Sequence, residues 1–199
     1  FMKKNINRKE YISKLLAYKD KGLIKVVSGL RRSGKSTLFE LYRETLLQMG
    51  VQASQIVFLN FEDLELRKFL NDLDALYAHI ISQLDLSKSC YVFLDEVQNV
   101  NEFERLVDGL FVKPNIDVYI TGSNAFLLSG ELSTLLSGRY IEISILPFSF
   151  TEYLTAREID YSNRYINYET LFFDYVNETS LPKGVDLREG GFDKIYEYL

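Results

Sequence analysis

The sequence contains one cysteine and one histidine among its 199 residues. No internal disulfide can therefore form. Cys90 begins an apolar run, where a small buried thiol is the expected role. A catalytic thiol needs a basic partner, and the histidine, His79, lies in a different segment of the chain. We therefore expect no cysteine–histidine catalytic pair.

Long apolar runs are also lacking. None approaches the ~20 residues that a membrane-spanning helix needs, and Met2, Lys3 and Lys4 are followed by polar residues rather than by the apolar stretch of a signal peptide. The formal net charge of −5 provides no overall field that attracts nucleic acid or anionic lipid. We expect a cytoplasmic protein with no membrane partner.

The residues that are present suit one domain with a substantial core, since 47% are hydrophobic and 14% are aromatic. Apolar periodicity predicts strands over residues 23–28, 56–61, 91–94, 116–120 and 140–146. It predicts helices over residues 7–18, 35–49, 73–84, 101–111, 125–136 and 149–156, with Asn7 capping the first. This alternation indicates an α/β fold, with a mainly parallel sheet in a three-layer αβα arrangement.

A phosphate-binding loop follows the first predicted strand and opens a predicted helix. The pattern G-x-x-x-x-G-K-[ST] is matched by Gly29, Leu30, Arg31, Arg32, Ser33, Gly34, Lys35 and Ser36, with Thr37 next. The glycines let backbone N–H groups approach phosphate oxygens at a helix N-terminus. Lys35 is then expected to reach the β- and γ-phosphates, and Ser36 to bind Mg²⁺. The alternative is a glycine-rich turn with an exposed lysine.

Two carboxylates end the apolar strand at residues 91–94. In this Walker B arrangement Asp95 is expected to bind Mg²⁺, while the freer Glu96 orients or deprotonates the attacking water. The alternative is a purely structural acidic turn after a buried strand. A second carboxylate here favours an ATPase over a small-molecule kinase.

Polar residues follow the next predicted strand, where strand ends line the ligand crevice of such sheets. Asn124 and Ser123 are candidates for a sensor of the γ-phosphate, and Asn124 could equally cap the following helix. Glu62, after the second strand, either assists the metal and water or lies in a solvated turn.

Each of three arginines has two possible roles. Arg139 either approaches a γ-phosphate, in its own subunit or a neighbour's, or forms an ion pair at a helix end. Arg31 and Arg32 either contact nucleotide or a partner, or point into water.

The residue pattern changes after Arg157, where aromatic and polar residues mix without clear strand alternation. Residues 1–157 are predicted to form the P-loop ATPase domain, and residues 158–199 to begin a C-terminal segment or lid. The sequence ends inside an amphipathic segment that starts at Phe192, so we expect a further C-terminal domain in the full-length protein.

The ordered set of motifs resembles that of the bacterial and archaeal AAA+-like ATPases, which pair an N-terminal P-loop domain with a C-terminal domain of nuclease-like or winged-helix character. The resemblance covers residues 5–155. It is carried by residues 24–37 (IKVVSGLRRSGKST), 60–62 (NFE), 93–98 (FLDEVQ), 120–125 (ITGSNA), 127–129 (LLS), 136–140 (LSGRY) and 146–154 (LPFSFTEYL).

This resemblance implies an additional-strand sheet, with the sensor strand between the P-loop strand and the Walker B strand. It implies ATP and Mg²⁺ as cofactors, with residues 6–8 near the adenine. The leading hypothesis is an ATPase whose hydrolysis drives a conformational switch or motor step. The rival is a nucleotide-gated protein- or DNA-binding module with little intrinsic hydrolysis. A homo-oligomer, and a protein or DNA partner held through the C-terminal domain, are the associated expectations.

Overall fold

The structure is a computed structural model that describes residues 8–30, 33–122, 136, 138–147, 149–156, 159 and 168–178. These residues fall into two compact units. The sheet unit comprises Arg8–Gly29 and Gly34–Ile145, and the described residues of the second unit come from Leu30–Ser33 and Leu146–Leu199.

The sheet unit alternates strands and helices along the chain. Its strands are β1 (Ile24–Gly29), β2 (Ile56–Asn60), β3 (Cys90–Asp95), β4 (Ile116–Thr121) and β5 (Tyr140–Ile145). Its described helices are α1 (Lys9–Ala17), α2 (Lys35–Gln48), α3 (Leu73–Ser82) and α4 (Phe103–Phe111), joined in places by short 3₁₀ turns.

The five strands form one sheet in the order β2-β3-β4-β1-β5. Every pair of neighbours is parallel; β1, for example, pairs from Ile24 opposite Tyr140 to Gly29 opposite Ile145. The predicted parallel α/β sheet is confirmed. So is the additional-strand order, because β4 lies between the P-loop strand β1 and the Walker B strand β3.

The three central strands are buried along their whole length. Successive side chains point to opposite faces, so apolar residues at consecutive positions fill two cores. Val27, Phe93 and Tyr119 pack with Leu15 of α1 and with Leu38, Phe39 and Tyr42 of α2. Val26, Val92 and Ile120 pack with Leu76 and Ile80 of α3 and with Leu106 and Leu110 of α4. The result is the predicted three-layer αβα arrangement.

The ends of the described helices of the sheet unit lie within two residues of their predicted positions. Gly50, beyond the end of α2, adopts φ +93°, as a glycine that follows a helix commonly does. Arg8 occupies the N-cap position of α1, and Asn7, the predicted cap, lies outside the described residues. Of the predicted helix 125–136, only Leu136 lies within the described residues. Among the described helices, none is long and apolar enough to cross a bilayer.

A buried polar cluster joins β1 to β4 near the amino ends of the strands; we call it the amino-edge cluster. Lys25 of β1 is fully buried and forms an ion pair with Asp117 of β4. Asp117 also accepts hydrogen bonds from the Tyr119 hydroxyl (2.7 Å) and the Asp20 N–H (3.0 Å). The Tyr42 and Tyr119 hydroxyls are 3.2 Å apart. Burial lowers the pKa of Lys25, and Asp117 offsets part of this effect.

The second unit contains α5 (Phe150–Ala156) and α6 (Tyr168–Glu178). Ser149 and Glu152 cap α5 reciprocally: the Ser149 N–H donates to Glu152 Oε2 at 2.8 Å, and the Glu152 N–H donates to Ser149 Oγ at 3.2 Å. Phe150, Tyr153, Leu154 and Tyr175 form its small core. The sequence did not predict α6, and the proposed domain boundary at residue 157 stays a prediction.

Candidate functional site

The site lies at the carboxyl edge of the sheet. Gly29, Asp95 and Thr121 are the last residues of β1, β3 and β4, three adjacent strands that run in the same direction. Since parallel strands bring their carboxyl ends to one edge, the P-loop strand, the Walker B strand and the sensor strand meet there.

The start of α2 places the lysine of the phosphate-binding loop. Gly34 is the N-cap of α2 and adopts φ +91°, a conformation that glycine reaches without strain. Lys35 is buried at 5% exposure, and its Nζ donates to the Gly29 carbonyl at 3.2 Å. Ser36 and Thr37 are half-buried in the same first turn.

Within the loop, the Ser33 N–H donates to the Leu30 carbonyl at 3.1 Å, closing a turn. Arg31 and Arg32 lie outside the described residues.

Asp95 is a fully buried carboxylate with spare coordinating capacity. Its Oδ1 accepts a hydrogen bond from the Thr121 hydroxyl. Its Oδ2 is buried and has no hydrogen-bond partner among the described residues. Burial raises the pKa of Asp95, while the Ser36 and Thr121 hydroxyls and the Lys35 ammonium partly offset the rise. A buried carboxylate with one open oxygen is suited to binding a cation.

Glu96 is held at both its backbone and its side chain. The residue adopts φ +58°, which is uncommon outside glycine and often found at functional sites. Its N–H donates to Thr121 Oγ1 at 3.0 Å. Its Oε2 accepts a hydrogen bond from Gln98 Nε2 at 2.6 Å. Glu96 is half-buried, so its carboxylate retains access to solvent.

Sequence reasoning did not assign roles to Thr121 and Gln98. Both lie inside motifs that the sequence does display, the strand end at residues 120–125 and the segment at residues 93–98. The hydroxyl of Thr121 reaches a residue 26 positions earlier, and such a contact becomes visible only when β3 and β4 are known to be neighbours.

The structure does not bring Arg139 to this edge. Arg139 directly precedes β5, at the amino edge of the sheet, and its guanidinium forms a 2.7 Å ion pair with Asp108 of α4 and lies over the Phe111 ring. The predicted helix-end ion pair is therefore present. A role at the phosphate of a neighbouring subunit stays a prediction.

Another predicted residue, Glu62, takes no part in the contacts above. Glu62 is exposed in a turn, where its N–H donates to Asn60 Oδ1 at 2.9 Å. Ser123 and Asn124 lie outside the described residues, so the sensor assignment stays a prediction.

The described residues contain no group of three or more histidine, cysteine, aspartate or glutamate side chains that could hold a metal ion. A metal at this edge would therefore need ligands from the nucleotide as well. Mg²⁺ binds in this way, through one or two protein oxygens, substrate phosphates and waters. Asp95 and the Ser36 hydroxyl fit that pattern.

Two relatives match most of this chain. An uncharacterized protein of Haemophilus influenzae is 42% identical over 181 residues, which cover 90% of this chain and 44% of the relative. An uncharacterized protein of Methanocaldococcus jannaschii is 32% identical over 174 residues, which cover 86% of this chain and 36% of the relative. The chain thus spans less than half the length of these curated relatives.

Comparison with solved structures supports the same fold. AMPPCP-bound DnaA from Aquifex aeolicus aligns with a TM-score of 0.51 at 14% identity, over 84% of this chain and 55% of that chain. At this identity the likeness shows the fold alone. The family model described as "AAA domain" matches residues 21–154 and indicates an ATP-related function. Because that match spans more than half of the sequence, the chain belongs to the AAA domain family, within the AAA+-like P-loop ATPases.

Proposed function

We propose that this chain binds Mg–ATP at the carboxyl edge of the sheet and hydrolyses it, and that hydrolysis drives a conformational change in a partner. The observation that carries the proposal is the pairing of two carboxylates with different surroundings, on the same sheet edge as Lys35. Asp95 is fully buried, and its Oδ2 has no hydrogen-bond partner among the described residues, whereas Glu96 is half-buried and accessible to solvent. One suits a metal ion and the other suits a water.

The proposed roles follow from these surroundings. The backbone N–H groups of residues 29–37 and the start of α2 bind the phosphate oxygens, with Lys35 neutralising the β- and γ-phosphates. Mg²⁺, bound by Ser36 and Asp95, would supply charge neutralisation at the phosphates. Glu96 orients the attacking water and accepts its proton. Asn124 senses the γ-phosphate.

Arg139 is proposed to act in a neighbouring subunit. In its own subunit it lies at the amino edge, opposite the site. An arginine that is half-exposed and held in place by Asp108 is available to the phosphate edge of a second copy, where it would stabilise developing charge. This role presupposes a homo-oligomer. A protein or DNA partner is proposed to respond to the nucleotide state.

Two substitutions test the proposal. Lys35→Ala should weaken ATP binding by at least about 100-fold, because it removes the ammonium at the phosphates. Glu96→Gln should keep the ATP affinity within about twofold and lower single-turnover hydrolysis by at least about 100-fold. Matched controls are Lys9→Ala and Glu44→Gln, both on exposed helix positions. The measurements are titration with a fluorescent ATP analogue and release of labelled phosphate.

Hydrolysis by Glu96→Gln at the wild-type rate would show that the assigned role of Glu96 is wrong. If the wild-type chain binds ATP in a Lys35-dependent way but releases no phosphate, the rival function is favoured: a nucleotide-gated binding module.

A further inference from the structure

We propose that Gln98 is a positioning residue for Glu96: its side-chain amide holds the Glu96 carboxylate in the orientation that receives the attacking water. This proposal rests on the function proposed above for Glu96. It concerns a residue two positions further along the chain that lies outside the two-carboxylate motif.

The contact is short and specific. Gln98 Nε2 donates to Glu96 Oε2 at 2.6 Å. An amide donor facing a carboxylate oxygen forms a stronger hydrogen bond than a neutral pair does. The contact engages Oε2 and leaves Oε1, the other oxygen of the same carboxylate, for a water.

The segment that carries Gln98 is itself anchored. Gln98 lies in the 3₁₀ turn Val97–Asn99, for which Glu96 is the N-cap. Val97 is fully buried in the core, and the Asn99 N–H donates to the Glu96 carbonyl at 3.1 Å. The backbone of Glu96 is fixed from the other side by its N–H donation to Thr121. Gln98 therefore fixes the flexible end of a side chain whose base is already fixed.

A second observation points the same way. Gln98 Oε1 is buried and has no hydrogen-bond partner among the described residues. The reverse orientation of the amide would place this oxygen against the Glu96 carboxylate, so the amide has one favourable orientation. A buried acceptor left open is commonly satisfied by a bound water. Its position on the side chain that holds Glu96 suits a water shared by the two residues.

The proposal predicts an effect on chemistry and not on binding. A carboxylate that can rotate spends less time aimed at the reacting water, and misplacement of this kind costs about 10- to 100-fold in rate. The phosphate contacts of Lys35 are untouched, so ATP affinity should stay within about twofold of wild type.

The test compares two substitutions with a matched control. Gln98→Met keeps the length of the side chain and removes both the donor and the acceptor. Gln98→Glu keeps the shape, removes the donor and places like charges together. Gln48→Met makes the same change at an exposed position of α2. Both Gln98 variants should lower the single-turnover rate constant for hydrolysis about 10- to 100-fold, whereas Gln48→Met should hydrolyse ATP at the wild-type rate. ATP affinity should be unchanged in all three.

A double-mutant cycle separates positioning from a general structural effect. If Gln98 acts through Glu96, adding Gln98→Met to Glu96→Gln should lower hydrolysis no further. A full additional loss of rate in the double variant, or ATP binding weakened as much as kcat, would identify a structural role and overturn the proposal. Thermal unfolding of each variant shows whether it is folded.

The outcomes also separate this inference from the function beneath it. If Gln98→Met turns over at the wild-type rate while Glu96→Gln is inactive, only the role of Gln98 is overturned. If Glu96→Gln is fully active, both proposals fail. A readout independent of turnover is the solvent exchange of the Gln98 side-chain amide protons by NMR. Exchange should be slowed in wild type and faster in Glu96→Ala; equal exchange in the two proteins overturns the contact.

Discussion

Thr121 donates its hydroxyl proton to Oδ1 of Asp95, and the two residues end adjacent strands of the sheet. The same hydroxyl oxygen accepts the N–H of Glu96 at 3.0 Å. One buried side chain of the sensor strand thus contacts both members of the carboxylate pair. Any shift of β4 relative to β3 would be transmitted to the metal-binding and water-binding residues together.

Thr121→Val tests this link, since valine keeps the shape of the side chain and removes the hydroxyl. We expect the free energy of unfolding to fall by about 1–3 kcal/mol, because a buried acceptor on Asp95 and the Glu96 N–H lose their partner. ATP turnover should fall about 10-fold or more, as both carboxylates lose their alignment. The measurements are urea unfolding and phosphate release. Thr45→Val is the control, because within the described part of the chain its hydroxyl donates only to the Leu41 carbonyl of its own helix. Equal turnover in the two variants would contradict the link.

Asp95→Asn should separate stability from metal binding. Burial raises the pKa of Asp95, so the ionised carboxylate is costly in the free protein. Asparagine keeps an oxygen for Thr121 and removes the charge. We expect the Tm of the nucleotide-free chain to rise, by the equivalent of about 1 kcal/mol.

In the same variant, stabilisation by ATP should no longer depend on Mg²⁺ concentration. Thermal unfolding with ATP across a Mg²⁺ series measures both effects. Asp74→Asn, at an exposed position of α3, is the matched control. A lower Tm together with an intact Mg²⁺ response would count against the assignment of Asp95 as metal ligand.

The amino-edge cluster should matter for stability and not for nucleotide binding. Asp117→Asn leaves the buried Lys25 ammonium without its counter-charge, which should cost about 3–5 kcal/mol. Adding Lys25→Met removes the stranded charge and should recover much of that loss. ATP affinity should be unchanged in any variant that remains folded, because the cluster lies at the opposite edge of the sheet. Urea unfolding measures the stability and ATP titration measures the affinity. If the two substitutions lower the free energy of unfolding additively, the Lys25–Asp117 pairing is refuted.

Tyr42 should make the chain less stable in alkali. Burial raises the pKa of Tyr42 to about 12, above its usual value of 10. In that interval the folded chain keeps a proton that the unfolded chain releases, so the free energy of unfolding falls as pH rises from 10 to 12. Tyr42→Phe should lower stability at neutral pH by about 1 kcal/mol, through loss of the contact with Tyr119. It should also make the alkaline decline less steep. Unfolding curves at pH 8, 10 and 11 measure this, and an unaltered slope would be the contrary result.

The sequence predicted the elements whose signals are local. Apolar runs set the central strands, and the loop pattern set the start of α2 at Lys35 and the position of Gly34. It did not predict α6, because aromatic and polar residues mix there without a clear period. Lys25 lies within the predicted strand at residues 23–28, but its burial depends on Asp117, 92 residues away. A local sequence pattern cannot predict an ion pair between residues this far apart in the chain.

The candidate site shows the same division. Sequence motifs predict four of its residues, Lys35, Ser36, Asp95 and Glu96. The strand ends and the helix start that hold these residues lie at one edge of the sheet. Thr121 and Gln98 were not singled out, because their roles come from hydrogen-bond partners and not from residue type. Arg139 shows the limit of a motif: the sequence left a phosphate contact and a helix-end ion pair open, and strand direction places the residue at the amino edge of its own subunit.

The strand order also bears on how the chain matures during synthesis. β1 is made first of the five strands, yet its neighbours in the sheet are β4 and β5, which end at Thr121 and Ile145. A strand that lacks its flanking partners leaves its edge N–H and C=O groups unpaired, so we expect the phosphate loop that β1 carries to become ordered on the ribosome only after β4 and β5 have emerged. We therefore expect a nascent chain arrested before β5 to leave one edge of β1 unpaired and open to chaperone binding.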